Sequence, residues 1–144
     1  MSRKEARECA FQLIYERIIT GEKNALTFEL FSEKHAGEAD YLTSAYLGVD
    51  EKMEFLQRVI ARYAKDFKVE RIFKVDSSLL LLSIFEILFM PDIHDRVAVN
   101  EALELVKVYS TERSSGFVNG VLASVLANKE ALVYEYEHPG DSGQ

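Results

Sequence analysis

The fold of this chain is decided by its most apolar stretch, Asp76-Ser77-Ser78-Leu79-Leu80-Leu81-Leu82-Ser83-Ile84-Phe85-Glu86-Ile87-Leu88-Phe89-Met90. Asp76 is a residue type that caps helices, so the stretch predicts a helix over 77–90 that Pro91 closes. Apolar side chains cover this helix on every side, which places it at the centre of the molecule. It contains Glu86 and falls short of the ~20 residues that a bilayer requires, so it is not a membrane span.

Amphipathic helices surround this stretch in the sequence. Ser2 and Glu5 form a capping box at the start of the first helix, and apolar residues then recur at spacings of three and four along most of the chain. Prolines and glycines lie between the segments, and no alternating strand pattern appears. The spacing predicts helices over 3–20, 25–34, 40–66, 77–90, 96–109 and from 114 through 126. We therefore predict an all-α fold of about seven helices.

The size and charge of the chain limit its organisation and its partners. With 144 residues, of which 48% are apolar, the chain is long enough for one domain with a real core. Its 17 basic and 24 acidic residues give a net charge of −7, which argues against coating nucleic acid by bulk charge. Any nucleic-acid site must be local. We expect residues 131–144 to form an acidic, flexible tail that buries nothing.

Residues for catalysis or metal binding do not cluster in the sequence. Cys9 is the single cysteine, so the chain forms no internal disulfide and a reducing cytoplasm is expected. The three histidines have no second ligand at a metal-binding spacing, and phosphate loops and hydrolase motifs are absent. We expect no enzyme activity, no metal and no cofactor. Glu86 is either a catalytic acid or a structural acid paired with a neighbouring helix, and the lack of a second catalytic group favours the structural role.

Two short stretches are suited to single-stranded RNA. Arg3, Arg7, Phe11 and Tyr15 are spaced by four on the first helix, so two guanidinium groups precede two rings along one stripe. The alternative is that Phe11 belongs to the core and the arginines are solvated. The second stretch, 113–117, begins with Arg113-Ser114-Ser115 before a predicted helix start, where free N–H groups favour a phosphate. An ordinary serine N-cap is the alternative there.

Two longer motifs resemble the NusB antitermination factor family. They are Val97-Ala98-Val99-Asn100-Glu101-Ala102-Leu103-Glu104-Leu105-Val106-Lys107 and Ser114-Ser115-Gly116-Phe117-Val118-Asn119-Gly120-Val121-Leu122. Shorter companions are Ala6-Arg7-Glu8-Cys9-Ala10, Gly48-Val49 and Phe85-Glu86-Ile87, and the resemblance covers about residues 3–128.

The resemblance implies two small helical bundles packed together and an RNA-binding adapter without catalysis. Residues 1–130 would form this domain, with an N-terminal bundle over about 1–75 and a C-terminal bundle over about 76–130. Members of the family pair with NusE, a ribosomal small-subunit protein, and bind the boxA element of ribosomal RNA leader transcripts. RNA polymerase then reads through terminators. The resemblance thus implies boxA RNA, NusE and the RNA polymerase antitermination complex as partners.

The resemblance and the two stretches together predict one RNA-binding site. We expect phosphate contacts from four cations, stacking from two rings, and further contacts from three residues matched to the family, with Asn119 on a base edge. These residues are Arg3, Lys4, Arg7, Arg113; Tyr15, Phe117; Gln12, Asn119 and Gly120. The site requires the first helix and the Phe-Val-Asn-Gly segment to lie side by side. The rival interpretation is a helical scaffold, perhaps a homodimer, that hides its aromatic faces and binds RNA weakly or not at all.

Overall fold

The predicted all-α fold is confirmed. A computed structural model describes residues 2–65 and 71–140, and these residues contain eight α-helices and no strand. The helices are α1 (Arg3–Thr20), α2 (Ala25–Lys34), α3 (Ala39–Glu51), α4 (Met53–Tyr63), α5 (Lys74–Phe89), α6 (Asp95–Tyr109), α7 (Glu112–Ala127) and α8 (Lys129–Glu137), with a short 3₁₀ turn at Ala36–Glu38 before α3.

Helix α5 is the centre of the molecule, as its sequence predicts. Every residue from Asp76 to Leu88 is buried, and α5 packs against α1, α3, α4, α6, α7 and α8. Helices α1, α2 and α3 also pack together on one side of it, while α7 contacts α4, α6 and α8 on the other. The expected boundary near residue 75 places α4 in the N-terminal bundle. Helix α4 nevertheless also contacts α7, which lies in the expected C-terminal bundle. None of the described helices is long and apolar enough to cross a membrane.

The first helix has the bounds that its end signals predict. Ser2 and Glu5 form a complete capping box, in which the Ser2 hydroxyl accepts from the Glu5 N–H at 3.1 Å. At the other end Gly21 adopts a φ of 80°, the left-handed conformation that glycine enters without strain, and its N–H donates to Arg17 O. These local contacts fix where α1 begins and ends.

The single helix predicted over 40–66 is wrong, because the chain breaks it at Lys52. Helix α3 packs against α1 and α5, whereas α4 turns to reach α5 and α7. The Lys52 ammonium lies 5.0 Å from the centroid of the Phe89 ring and 5.1 Å from that of Tyr136, so aromatic contacts hold the junction. Neither proline nor glycine marks the break. The change in direction is set by packing across the core, which a periodic pattern does not record.

The predicted starts of two helices also need correction. Helix α5 begins at Lys74, so Asp76 lies within its first turn and does not cap it. Helix α7 begins at Glu112, and Thr111 is its N-cap, accepting from the Ser114 N–H at 3.2 Å. Ser114 is therefore inside the helix and does not precede it. Asp76 and Ser114 are both residue types that cap helices, which is why the sequence places helix starts there. In the structure their side chains instead bond to each other, with Ser114 donating to Asp76.

Residues 131–144 were expected to bury nothing, and that is wrong for the part of this segment that α8 occupies. Leu132 is 1% exposed, and the Tyr136 ring packs edge-on against Phe55 and Phe89 at 5.1 and 5.0 Å. The Arg62 guanidinium of α4 also donates two hydrogen bonds of 2.9 and 2.8 Å to the Glu135 carboxylate. The acidic composition of this segment does not predict α8, because few of its side chains are apolar and only Leu132 is fully buried among its described residues. Residues 141–144 lie outside the described residues.

Candidate nucleic-acid interface

Arg7 is not on the RNA-facing surface that its spacing predicts. Its side chain points into the core, where Arg7 is 4% exposed and Glu86 is 1% exposed. Arg7 Nε donates to Glu86 Oε2 at 2.9 Å, and Arg7 Nη2 donates to Oε1 at 3.0 Å. These hydrogen bonds use the guanidinium N–H groups that would otherwise donate to a phosphate. The predicted phosphate contact at Arg7 is wrong, and the structural interpretation of Glu86 is confirmed.

A tyrosine completes this buried ion pair. Tyr41 Oη on α3 donates to Glu86 Oε2 at 2.8 Å, so the carboxylate joins side chains of three helices. Burial alone would lower the pKa of Arg7, but its hydrogen bonds and attraction to Glu86 outweigh burial and raise that pKa. Burial, and then the neighbouring Glu86 charge, raise the pKa of Tyr41 well above its ordinary value. The three side chains tie α1, α3 and α5 together.

The outer side of α1 carries a hydrogen-bonded aromatic group. Gln12 Nε2 donates to Tyr109 Oη at 3.0 Å, and that hydroxyl donates to the Glu8 carboxylate. The Tyr109 ring lies 4.9 Å from the Phe11 ring, and Phe11 lies 6.3 Å from Tyr15. Phe11 is 3% exposed and belongs to the core, while Tyr15 is 36% exposed and can receive a base.

Tyr109 is a residue that the sequence reasoning missed. Donating to Glu8 raises the pKa of its hydroxyl, so the phenol stays neutral and keeps its ring beside Phe11. An aromatic residue at the end of an amphipathic helix, just before a Ser-Thr turn, was the available signal.

A second group of side chains lines a pocket between the first turn of α5 and the start of α7. The cavity has a volume of about 180 Å³. Phe73 at its rim is 60% exposed, whereas Phe117 is half-buried against the core. Two arginines, Arg71 and Arg113, stand at the same rim. We call this the α5–α7 pocket; its lining residues are Arg71, Ile72, Phe73, Asp76, Thr111, Arg113, Ser114 and Phe117. Arg113 and Phe117 belong to the predicted RNA-binding set, whereas the exposed Arg71 and Phe73 do not.

Two serines and an aspartate fix the floor of the α5–α7 pocket. Ser110 Oγ donates to Asp76 Oδ1 at 2.7 Å, and Ser114 Oγ donates to Asp76 Oδ2 at 2.6 Å. Ser114 is 4% exposed. The proposed phosphate seat at the Ser114 N–H is therefore wrong, since Thr111 already accepts that hydrogen bond and the site carries a carboxylate. Arg113 is exposed at the rim of the pocket and stays a candidate for a phosphate contact.

The remaining predicted residues lie at two exposed places, on α7 and at the start of α1. Asn119 lines a shallow groove between α6 and α7, and the neighbouring Gly120 is exposed with open space where a side chain would start. Arg3 and Lys4 are exposed at the start of α1, but each contacts a carboxylate. Asn119 and Gly120 therefore stay candidates, and the two N-terminal cations are candidates whose charge is partly neutralised.

The two predicted stretches meet through the end of α6. Tyr109 touches α1 at Gln12, and the next residue, Ser110, bonds to Asp76 in the wall of the α5–α7 pocket. Thr111 continues into the same wall. The end of α6 contacts α1 through Tyr109, and the turn after it leads directly into α7. A series of contacts, which we call the strip, runs from Tyr15 through the buried Phe11 to Tyr109 and on through Ser110 to the α5–α7 pocket.

Residues 4–127 match the family model described as "NusB family". The chain belongs to the NusB family. Its relatives include the "Transcription antitermination protein NusB" of Clostridium perfringens, 39% identical over 135 residues that span 90% of this chain and 100% of the relative. The protein of the same name from Finegoldia magna is 37% identical and covers 90% of this chain and 97% of its own length. The predicted family membership is confirmed.

Solved structures of NusB proteins share the fold. The chain superposes on "T. maritima NusB" with a TM-score of 0.75 at 24% identity, covering 94% of this chain and 92% of that one. A NusB chain in "Crystal Structure of Antitermination Factors NusB and NusE in complex with dsRNA" gives a TM-score of 0.75 at 24% identity, covering 85% and 94%. Helix α8 begins after the last residue of the NusB family match.

Proposed function

We propose that the protein is a transcription antitermination factor that binds single-stranded boxA RNA of ribosomal RNA leader transcripts jointly with NusE, so that RNA polymerase reads through terminators. Two relatives carry the name of that activity, and a structural neighbour was crystallised with NusE and double-stranded RNA, which supports the partner and the ligand class. The protein acts as an adapter in the cytoplasm, without catalysis, metal or cofactor.

The observation that carries the proposal is the strip of rings and cations around the α6–α7 turn. Tyr15 and Phe73 are exposed rings at its two ends, Tyr109 lies between them, and Arg113 stands at the α5–α7 pocket. Bases that are not paired stack on such rings, and guanidinium groups contact the phosphates between them. The strip is thus a local nucleic-acid site on a molecule of net charge −7.

Each residue of the proposed site has a chemical role. Tyr15 and Phe117 stack on bases, Arg113 holds a phosphate, and Gln12 and Asn119 donate to base edges. Lys4, Arg3 and Gly120 border the site. Arg7 acts indirectly, because its pairing with Glu86 sets the register of α1 against α5.

The small number of available cations makes this RNA binding dependent on a partner. Each phosphate contact adds to affinity and to its salt dependence, and a protein with few contacts binds weakly. Within residues 2–65 and 71–140, Arg113 has no carboxylate within salt-bridge distance, whereas Arg3 and Lys4 do. The resemblance to the NusB family also leads us to expect a basic residue directly before Phe117, where this chain has Gly116. NusE is therefore expected to supply much of the binding energy.

The test is a titration of labelled boxA RNA with the protein and NusE present. Phe117→Ala removes one stacking ring, and we expect affinity to fall by about 5- to 150-fold, which corresponds to the ~1–3 kcal/mol of one base stack. Arg113→Gln should reduce the slope of log affinity against log salt by about 0.7. Matched controls are Tyr134→Ala, an exposed ring on α8, and Arg96→Gln, an exposed arginine at the start of α6.

Two results would contradict the proposal. Equal affinity for boxA and scrambled RNA would remove the sequence-specific role. If Phe117→Ala and Arg113→Gln bind RNA as their controls do, the strip around the α6–α7 turn is not the RNA site. Light scattering at several concentrations tests the rival scaffold: a dimer that stays closed when NusE and RNA are added would support it.

A further inference from the structure

The cations at the start of α1 are held by acids from other helices. Arg3 Nε lies 2.6 Å from Glu38 Oε2, and the Arg3 guanidinium lies 4.5 Å from the centroid of the Tyr41 ring. The Arg3 side chain is 45% exposed, so solvent and ligands still reach it. Its charge is thus accessible, but it is already paired with a carboxylate.

Glu101 on α6 holds the neighbouring cation. Its Oε2 lies 3.9 Å from Lys4 Nζ, and its Oε1 lies 4.0 Å from Arg7 Nη1. Lys4 is 67% exposed, whereas the Glu101 side chain is only 24% exposed. The buried Arg7 therefore orients Glu101, and Glu101 in turn attracts the mobile ammonium group of Lys4. Neither Glu38 nor Glu101 belongs to the set of residues expected to contact RNA.

The other end of the strip is different. Arg113 has no acid within salt-bridge distance among the residues that the structure describes. Within the described residues, the surface proposed to bind RNA therefore combines a cation without an acidic partner at the start of α7 with paired cations at the start of α1. A phosphate approaching Arg3 or Lys4 must compete with a carboxylate that is already in place.

We propose that Glu38 and Glu101 withhold Arg3 and Lys4 from RNA, and so set how strongly the protein binds RNA by itself. This inference rests on the proposed RNA-binding function. In the wild-type protein the RNA backbone contacts Arg113, while Arg3 and Lys4 remain with their acids. Removing either carboxylate charge frees one cation for one phosphate.

The expected gain follows from the strength of the contacts. An exposed ion pair contributes about 0.2–1 kcal/mol, so freeing one cation should tighten RNA binding by about 1.4- to 5-fold. Each freed cation that reaches a phosphate should also steepen the salt dependence by about 0.7 in the log–log slope. A variant that changes the net charge but gains no phosphate contact should tighten RNA binding only slightly and should leave the slope of the salt dependence unchanged.

The experiment measures binding of a short labelled boxA RNA at several salt concentrations, with and without NusE. The variants are Glu38→Gln and Glu101→Gln, and the matched control is Glu130→Gln, an exposed acid on α8 with no salt bridge in the described part of the chain. All three change the net charge equally. Thermal unfolding of each variant checks the fold, and Glu38→Gln leaves the contact between Glu101 and Arg7 intact.

A second mutation identifies the freed cation. Lys4→Gln should cost little affinity in the wild-type background and more in the Glu101→Gln background, because only there does Lys4 contact RNA. Tighter binding, a steeper slope and this coupling support the proposal. Affinities and slopes equal to those of Glu130→Gln would overturn it. If the wild-type protein with NusE does not bind RNA at all, the proposed function itself fails.

Discussion

Replacing Arg7 by methionine should destabilise the protein, even though its position on α1 resembles an RNA contact. The substitution keeps the volume of the side chain but removes its bonds of 2.9 and 3.0 Å to Glu86. Glu86 is 1% exposed and would retain only the hydrogen bond from Tyr41. Leaving one member of a buried ion pair without its partner costs about 3–5 kcal/mol. That loss is a large part of the roughly 5–15 kcal/mol by which a domain is stable.

Further variants separate charge burial from packing. Arg7→Met combined with Glu86→Leu removes both charges but leaves the Tyr41 hydroxyl without an acceptor, at about 1–3 kcal/mol. Adding Tyr41→Phe should therefore bring the free energy of unfolding close to the wild-type value. Urea denaturation followed by far-UV circular dichroism measures each step, and RNA titration is run alongside. A stable Arg7→Met protein that still binds NusE but no longer binds RNA would refute the reasoning and return Arg7 to the interface.

Two further predictions concern glycines and the docking of α8. Gly48→Ala would place a methyl group 2.2 Å from Phe85 Cζ, so it should lower the free energy of unfolding measured in urea by about 1–3 kcal/mol. Gly116→Ala meets open space within a helix, so it should raise that free energy by up to about 1 kcal/mol. A destabilising Gly116→Ala would contradict this. Hydrogen bonds from Arg62 lower the pKa of Glu135 below its ordinary 4.5, so the bridge stabilises above that pH and is lost as the pH falls through the lower folded value. The stability difference between wild type and Glu135→Gln should therefore shrink below pH 4.5, and a constant difference would refute it.

The features of the fold that sequence could predict are local ones. The capping box at Ser2, the end of α1 near Gly21 and the apolar composition of α5 each depend on residues close together in the chain. The break at Lys52 depends on distant residues instead, because α3 packs against α1 while α4 packs against α7. The same holds for α8, whose apolar contacts come from single residues such as Leu132 that carry no periodic signal in an acidic segment.

The candidate site shows the same limit. A spacing of four places Arg3, Arg7 and Tyr15 along one stripe, but it does not say how far that stripe turns toward the core. Ala10 and Ile14 follow Arg7 by three and seven residues and lie on the same side of α1, and both are buried. That neighbourhood, together with an acid in the central helix that needs a partner, was the available signal that Arg7 is internal. The exposed Phe73 carried no such signal.

Photo-cross-linking of a 4-thiouridine-labelled boxA RNA to the complex with NusE tests the central claim most directly. Mass spectrometry of the digested complex identifies the peptides that touch RNA. The account predicts cross-links at Tyr15 and Tyr109 and at Phe117 or Phe73, on both sides of the α6–α7 turn. Cross-links confined to α2 or α8 would contradict it.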